Sequence, residues 1–400
     1  MRVVLINAWY AQTSTGKLVK AFHEYLVSNG HDVSVFYGHG DRVDELKVER
    51  INSKFDLYYH ALLCRLTGYQ GCFSKSNTKK MIKNIDEISP DVVYLFNLHA
   101  YYLNEKMLLN YLKEKKIKVI YMLFDEYPYL GKCCFSERCV KFQTECKNCP
   151  DTKGYPASWF FDRSNYFFHM KKDLYSDWNE LTLVGVQFLS DRSKLSAIAK
   201  NNEFSVLDMG VDLKKTYYPR QISKLRKKLN IPEQNKIVVT VGQNSDARKG
   251  IDKFYEISRL CLDEEITFIH IGFNEKKDIK VPSNCILISF VSNQDELAEY
   301  YSLADVYVMT SSGEAMSLTC MEALGCGCKL IGFDISGTPY SASKEFGTFV
   351  PYDDLKSFAD TIKSSEKKTQ ESTKACREYA LSRYEISDFV RNLEKIGLGN

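Results

Sequence analysis

The opening stretch MRVVLINAWYAQTSTGKLVKAFHEYLVSNGHDVSVFY, residues 1–37, holds two short apolar runs on either side of one helix-length segment. Val3–Ile6 reads as a β-branched strand, followed by a polar and aromatic loop over Asn7–Thr15. In Gly16–Ser28 the residues Leu18, Phe22, Tyr25 and Leu26 recur at helical spacing until Asn29-Gly30 stops the helix. Val33–Tyr37 is the next strand. A helix between two apolar strands is a βαβ unit, so the sheet is expected to be parallel. The alternation recurs with strands at Asp91–Phe96 and Lys118–Phe124 around a helix at Lys106–Lys115. Thr182–Val186, a helix to about Lys200 and Val206–Leu207 complete the first series. The basic, polar segment 214–235 is expected to link it to a second series. That series has strands at Lys236–Val241, Thr267–Ile271, Cys285–Ile288, Val306–Met309 and Lys329–Phe333, then closing helices at Asp360–Lys374 and Tyr384–Lys395. The fold class is α/β, with two doubly wound sheets, and such sheets bind ligands at the carboxyl ends of their strands.

Length and composition narrow the function. Four hundred residues allow two or three domains. The 44% hydrophobic and 26% charged fractions are those of a globular chain and exclude collagen, coiled coil and disordered tails. Lys plus Arg at 54 against Asp plus Glu at 51 gives +3, so no nucleic-acid partner is expected. No apolar run is long enough for a membrane-spanning helix, and the Val3–Ile6 run is too short for a signal-peptide core. The chain is therefore expected in the cytoplasm, with its 13 cysteines reduced or metal-bound.

The segment GEAMSLTCMEALGCG, residues 313–327, carries the chemistry. With a helix starting near Ser317, Glu314 lies in the loop before it and Glu322 about a turn and a half along it. The backbone N–H groups of Met316, Ser317, Leu318 and Thr319 then point out of the helix start, where free donors and the helix dipole favour a diphosphate. A carboxylate on either side of a diphosphate suits a nucleotide sugar. The same spacing also fits two surface glutamates on an amphipathic helix.

This stretch resembles the E-x7-E signature of retaining glycosyltransferases of family 4. Their GT-B architecture has two Rossmann-like domains facing a central cleft. The resemblance implies that Glu314 faces the donor sugar and Glu322 the ribose. VTVGQNSDARKG at 239–250 is similar to the family's opening of the second domain, with Gly242 in its loop and Lys249, with Arg248, neutralising the departing diphosphate. STGKL at 14–18 is similar to the helix start facing the donor phosphates, where Gly16 permits close approach. YGHG at 37–40, FNLHAYYLN at 96–104, FDEYPYLG at 124–131 and YPASWFFDRS at 155–164 resemble a bacterial subgroup that builds capsular and exopolysaccharides. From these, His99 and Asp125 are expected to line the cleft beside Glu314 and Lys249 as catalytic residues.

The resemblance implies an acceptor-binding domain over residues 1–212, with the final helix 384–400 packing back on it, and a donor-binding domain over 213–383. It implies transfer with retention from a UDP- or GDP-sugar to a glycan or lipid-linked oligosaccharide, through an oxocarbenium-like state and without a catalytic metal cofactor. Four positions depart from the pattern. Phe96 and Phe124 stand where histidines are usual, Met209 where Asn is usual, and Gln243 where Arg is usual.

Residues 133–149 read CCFSERCVKFQTECKNC, five of the 13 cysteines. Cys133 (or Cys134), Cys139, Cys146 and Cys149 form a candidate structural zinc site in an insertion over 131–150, since Cys146 and Cys149 have knuckle spacing. Reduced buried thiols are the alternative. Basic runs at 74–83 and 113–118, and aromatics with Lys171 and Lys172 at 159–172, suit peripheral contact with the cytoplasmic face of an inner membrane. Two other functions fit the same sequence. One is a catalytically silent homologue acting as a carbohydrate-binding partner; the other is a nucleotide-sugar epimerase on the same fold.

Overall fold

The apolar runs pair as parallel strands, because each is followed by a helix that must cross the sheet before the next strand can join. The computed structural model describes residues 1–136, 139–274 and 280–399. The chain divides into two units, Met1–Asp208 with the chain from Phe389 onward, and Met209–Asp388.

The first unit is built on β1 (Arg2–Trp9), β2 (Asp32–His39), β3 (Val48–Arg50), β4 (Val92–Leu95), β5 (Lys118–Met122), β6 (Leu181–Gly185) and β7 (Glu203–Val206). They form one sheet in the order β3-β2-β1-β4-β5-β6-β7, parallel throughout. Val3–Ile6, Val92–Leu95 and Val119–Met122 are buried, as strands covered on both faces require. The second unit has β8 (Lys236–Val241), β9 (Ile266–Ile271), β10 (Cys285–Ile288), β11 (Val306–Met309), β12 (Lys329–Asp334) and β13 (Gly347–Pro351). Their order is β10-β9-β8-β11-β12-β13, again all parallel. Strand order reverses between β8 and β11, and the loops leaving those two strands are where a doubly wound sheet takes a ligand.

Several boundaries differ from the sequence reading. The first helix begins at Thr13, placing Gly16 inside its first turn rather than at its first position. The segment 214–235 is no free link: it lies in the second unit, carries a helix at Ser223–Lys228, and buries Leu225. The expected helix Asp360–Lys374 is two helices, Leu355–Ser364 and Gln370–Tyr384. Thr369 stops the continuation by capping the second, in a reciprocal box with Ser372.

The last helix, Ile386–Leu398, is amphipathic and returns to the first unit. Its Glu394 accepts hydrogen bonds from Tyr25 Oη (3.0 Å), Asn29 Nδ2 (3.2 Å) and His31 Nε2 (2.9 Å). Gly397 permits the close pass, because a Cβ there would lie 1.9 Å from Tyr94 Oη. Burial alone would raise the Glu394 carboxyl, but the bonds from Asn29, Tyr25 and His31 outweigh it and hold the group below the usual carboxylate range. Its stabilisation is thus complete above the unfolded carboxylate value of about 4.3 and fades as pH falls through the folded one. We expect Glu394→Ala to cost about 1–3 kcal/mol at neutral pH, through the donors left unpaired. The gap to the parent protein should close in acid, as read from unfolding midpoints across pH.

Candidate functional site

In the second unit, the loop after β8 turns through a short 310 segment, Ala247–Lys249, into the helix Ile251–Arg259. Gly250 makes the turn at φ +61°, and a Cβ there would lie 2.1 Å from the Thr310 carbonyl oxygen. Only glycine combines that left-handed backbone with such an approach. Thr310 Oγ1 donates to Lys249 O (3.0 Å) and Ser312 N–H to Arg248 O (2.8 Å), so the loop after β11 is tied to the loop after β8. Gly242 faces Lys249 closely, a built Cβ lying 3.3 Å from the lysine Cβ.

This lacing brings Lys249 Nζ to 2.7 Å from Glu314 Oε1, with both side chains largely buried. Arg248 pairs with Asp246 (3.0 Å) and donates to Gly313 O (3.3 Å). The Glu314 carbonyl accepts from Gly337 N–H (2.7 Å), and residue 337 must be glycine because a Cβ would sit 1.8 Å from Ala315 O. Met316 and Ser317 are buried, and the helix runs Leu318–Gly325. Its ladder opens with Cys320 N–H to Ser317 O (3.1 Å), which leaves the Leu318 and Thr319 amides ahead of it. The Ser317 hydroxyl turns to Thr319 Oγ1 (2.8 Å) and makes no side-chain cap. Glu322 lies farther along and accepts from Tyr301 Oη (2.8 Å), with Tyr217 beside it. Two cations, two carboxylates and a helix start therefore sit on the ligand side of one sheet.

Sequence reading named Lys249, Arg248, Gly242, Glu314, Glu322 and Met316–Thr319. It missed their supports: Asp246, Thr310, Gly337, Tyr217 and Tyr301. Asp246 is local, two positions from Arg248 in the same loop; only tertiary folding brings the other four to the site, and no spacing signals them.

In the first unit, His99 follows β4 and Asp125 follows β5. His99 Nε2 lies 2.8 Å from Asp125 Oδ2, and Nδ1 lies 3.1 Å from Tyr155 Oη. The carboxylate assigns the proton to Nε2, so Nδ1 accepts from the Tyr155 hydroxyl. Asp125 Oδ1 also accepts from Tyr127 N–H (2.9 Å). Ala100 and Tyr101, directly after His99, are held at φ +85° and +64°, a strained pair that fixes the histidine's approach. Phe96 and Phe124 stack at 6.0 Å and 13°, an apolar pair in the two places where histidines are usual in the family this chain resembles. Gly16 is buried against Trp9, its built Cβ 3.2 Å from the tryptophan Cβ, so the approach it permits is to β1.

The cysteines separate. Cys134 is buried with its Sγ in a trio with His99 and Asp125, all ligand atoms within 4.8 Å, so it is no substitute for Cys133. Cys133 has Cys149 and Cys146 as electrostatic neighbours, and Cys146 has Cys139. Among the described residues, no three of those four sulfurs lie within 4.8 Å of one another. Part of the expected basic surface is also internal. Lys171 is fully buried, donating to Tyr127 O and Leu130 O (2.6 and 3.1 Å), and Phe167 and Phe168 are core. Among the described residues, no helix is long and apolar enough to cross a membrane.

Residues 221–383 match the family described as Glycosyl transferases group 1. Among curated proteins the chain is similar to WcaC of Escherichia coli K12, named as a colanic acid biosynthesis glycosyl transferase, at 23% identity over 266 residues. That match covers 64% of this chain and 63% of the relative. Among solved structures, WaaG, a glycosyltransferase involved in lipopolysaccharide biosynthesis, superposes with a TM-score of 0.67 at 15% identity over 100% of both chains. Anabaena HepE, solved with UDP-glucose, gives 0.65 at 13% identity over 99% of each. These likenesses extend the two-sheet match over the full chain, which has the GT-B fold, and within its second unit residues 221–383 are similar to the group 1 glycosyl transferases.

Proposed function

We propose that the protein is a retaining family 4 glycosyltransferase, moving a hexose-type sugar from a UDP- or GDP-sugar to a glycan or lipid-linked oligosaccharide in bacterial surface polysaccharide synthesis. The observation that carries this is the Lys249–Glu314 pair at 2.7 Å beside the amides of Leu318 and Thr319. HepE, a relative in fold, was solved with UDP-glucose, which supports a nucleotide-sugar donor. In this reading Lys249 and Arg248 take the diphosphate, and the helix amides stabilise the charge that develops as it leaves. Glu314, released from Lys249 by the phosphates, accepts from sugar hydroxyls, and Glu322 with Tyr301 takes the ribose. The leaving phosphate deprotonates the acceptor on the same face. The first unit is assigned the acceptor, with the Asp125–His99–Tyr155 relay positioning its hydroxyl.

The stacked Phe96–Phe124 pair favours one second reading, a silent homologue that binds donor without transfer. We expect Glu314→Gln to lower turnover about 100-fold or more while leaving donor binding near normal. Glu322→Ala should weaken donor binding about tenfold, or 1.4 kcal/mol. Thermal-shift titration with UDP- and GDP-sugars, alongside product assays, separates the two effects. Full turnover in Glu314→Gln would refute its role. A donor shift with no product from any glycan or lipid-linked acceptor would favour the silent homologue.

The proposal extends to the site of action, the cytoplasmic face of a membrane. Along the helix Lys54–Thr67, Phe55, Tyr58, Leu62 and Leu66 form an exposed stripe at helical spacing. Trp159 and Phe160, also exposed, join its end, since Trp159 N–H donates to Arg65 O (2.7 Å). Exposed Lys75, Lys79 and Lys83 lie on the neighbouring helix Lys75–Ile88. Exposed apolar side chains and lysines within one stretch of chain suit an anionic bilayer, each lysine contributing about 1 kcal/mol near the surface. Co-sedimentation with phosphatidylglycerol vesicles should be strong at low salt, weak on phosphatidylcholine, and largely lost in Phe55→Ser/Trp159→Ser. Binding unchanged in that variant would argue against this surface.

A further inference from the structure

The cysteine-rich segment takes no part in the transfer reading, yet it is specifically held. Among the described residues of 131–162, regular structure is limited to one 310 turn, Lys141–Gln143, so hydrogen-bonded secondary structure does little to fix it. All its cysteines are free thiols. Cys133, Cys139, Cys146 and Cys149 are half-buried neighbours, and three independent contacts prepare them for a common partner.

The first contact is at Cys146, whose sulfur receives the Gly131 amide. A Cβ at residue 131 would lie 2.7 Å from the Cys146 Cβ, so glycine is needed for the approach. Second, the Cys146–Cys149 turn is closed from below: Lys141 Nζ donates to Lys147 O (3.0 Å) and Asn148 O (2.6 Å), and Cys149 N–H donates to Asp162 Oδ2 (2.7 Å). Third, the Lys132 side chain is buried, donates to the carbonyls of Thr152 (2.9 Å) and Gly154 (3.1 Å), and faces Cys133 and Cys149. Asp151 and Asp162 face this ammonium as well, so it stands among carboxylates and sulfurs at one edge of the cluster.

We propose that Cys133, Cys139, Cys146 and Cys149 bind one structural zinc ion as thiolates, with Lys132 offsetting the charge of the four-sulfur centre. Four thiolates in a tetrahedron suit zinc, at about 2.3 Å per bond, which sets the sulfurs roughly 3.8 Å apart. The sulfurs stand farther apart than that as trios, so binding draws the segment inward. Irregular backbone yields to such a contraction at little cost beside a metal-binding free energy of about 10–16 kcal/mol. The ion releases four protons on binding and takes no part in sugar transfer.

Elemental analysis of the purified full-length protein after dialysis is expected to give about one zinc per chain and negligible iron. A mercurial that caps thiols should release it stoichiometrically, measured with a chromogenic chelator. Cys146→Ser/Cys149→Ser should hold less than about a tenth of that zinc, whereas Cys72→Ser, outside the cluster, should keep it. Should the double variant fail to fold, the parent protein carries the test. Stripping it with a strong chelator should lower its unfolding midpoint and expose 131–162 to proteolysis, and zinc alone should restore both. Zinc far below one per chain, zinc retained by the double variant, or a midpoint indifferent to stripping would overturn the proposal. None of these readouts depends on transferase activity.

Discussion

Lys249 and Glu314 lie 65 positions apart in the chain and 2.7 Å apart in space, and the rest of the second unit's site follows from how that separation is closed. The closure is made by backbone rather than by the charges themselves. Gly250 passes against the Thr310 carbonyl, Ser312 bonds to Arg248, and the loops leaving β8 and β11 become one surface. The ion pair then forms between side chains already brought together, so little entropy remains to be lost in holding it. A parallel sheet makes this arrangement natural, since every strand delivers its exit loop to the same edge.

The first unit uses a similar device with different chemistry. His99 and Asp125 leave adjacent strands, β4 and β5, and meet at 2.8 Å. Two consecutive left-handed residues, Ala100 and Tyr101, turn the chain sharply enough to aim the imidazole at the carboxylate. Backbone in that region costs energy and persists only where its surroundings enforce it, here in part through His39 Nε2 at 2.6 Å from Ala100 O. Phe96 and Phe124, which leave the same two strands, stack on each other.

Other features guided the sequence reading imperfectly because burial is invisible along a chain. Lys171 read as a basic surface residue, yet it is a core ammonium bonded to two carbonyls beneath Tyr127. The aromatic run after Trp159 read as one amphipathic surface, but it divides into exposed Trp159 and Phe160 and buried Phe167 and Phe168. The stripe on Lys54–Thr67 carries no signal of its exposure, since Phe, Tyr and Leu at helical spacing look the same whether they face a core or solvent. The adjacent Cys133 and Cys134 could not be told apart until their neighbours were known.

The sequence by itself determined the α/β class, the parallel sheets, and the residues Lys249, Arg248, Glu314 and Glu322. Apolar period and local motif spacing are properties of short segments, and they survive without knowledge of the fold. Tertiary structure decided what holds those residues: Thr310 and Gly337 behind the loops, Tyr301 and Tyr217 on Glu322, Tyr155 on His99. It also decided that the last helix joins the first unit through Glu394, more than 360 positions from Tyr25, Asn29 and His31. Such contacts arise only when distant segments are packed to exclude water, and no periodicity along the chain encodes which distant partner will be met.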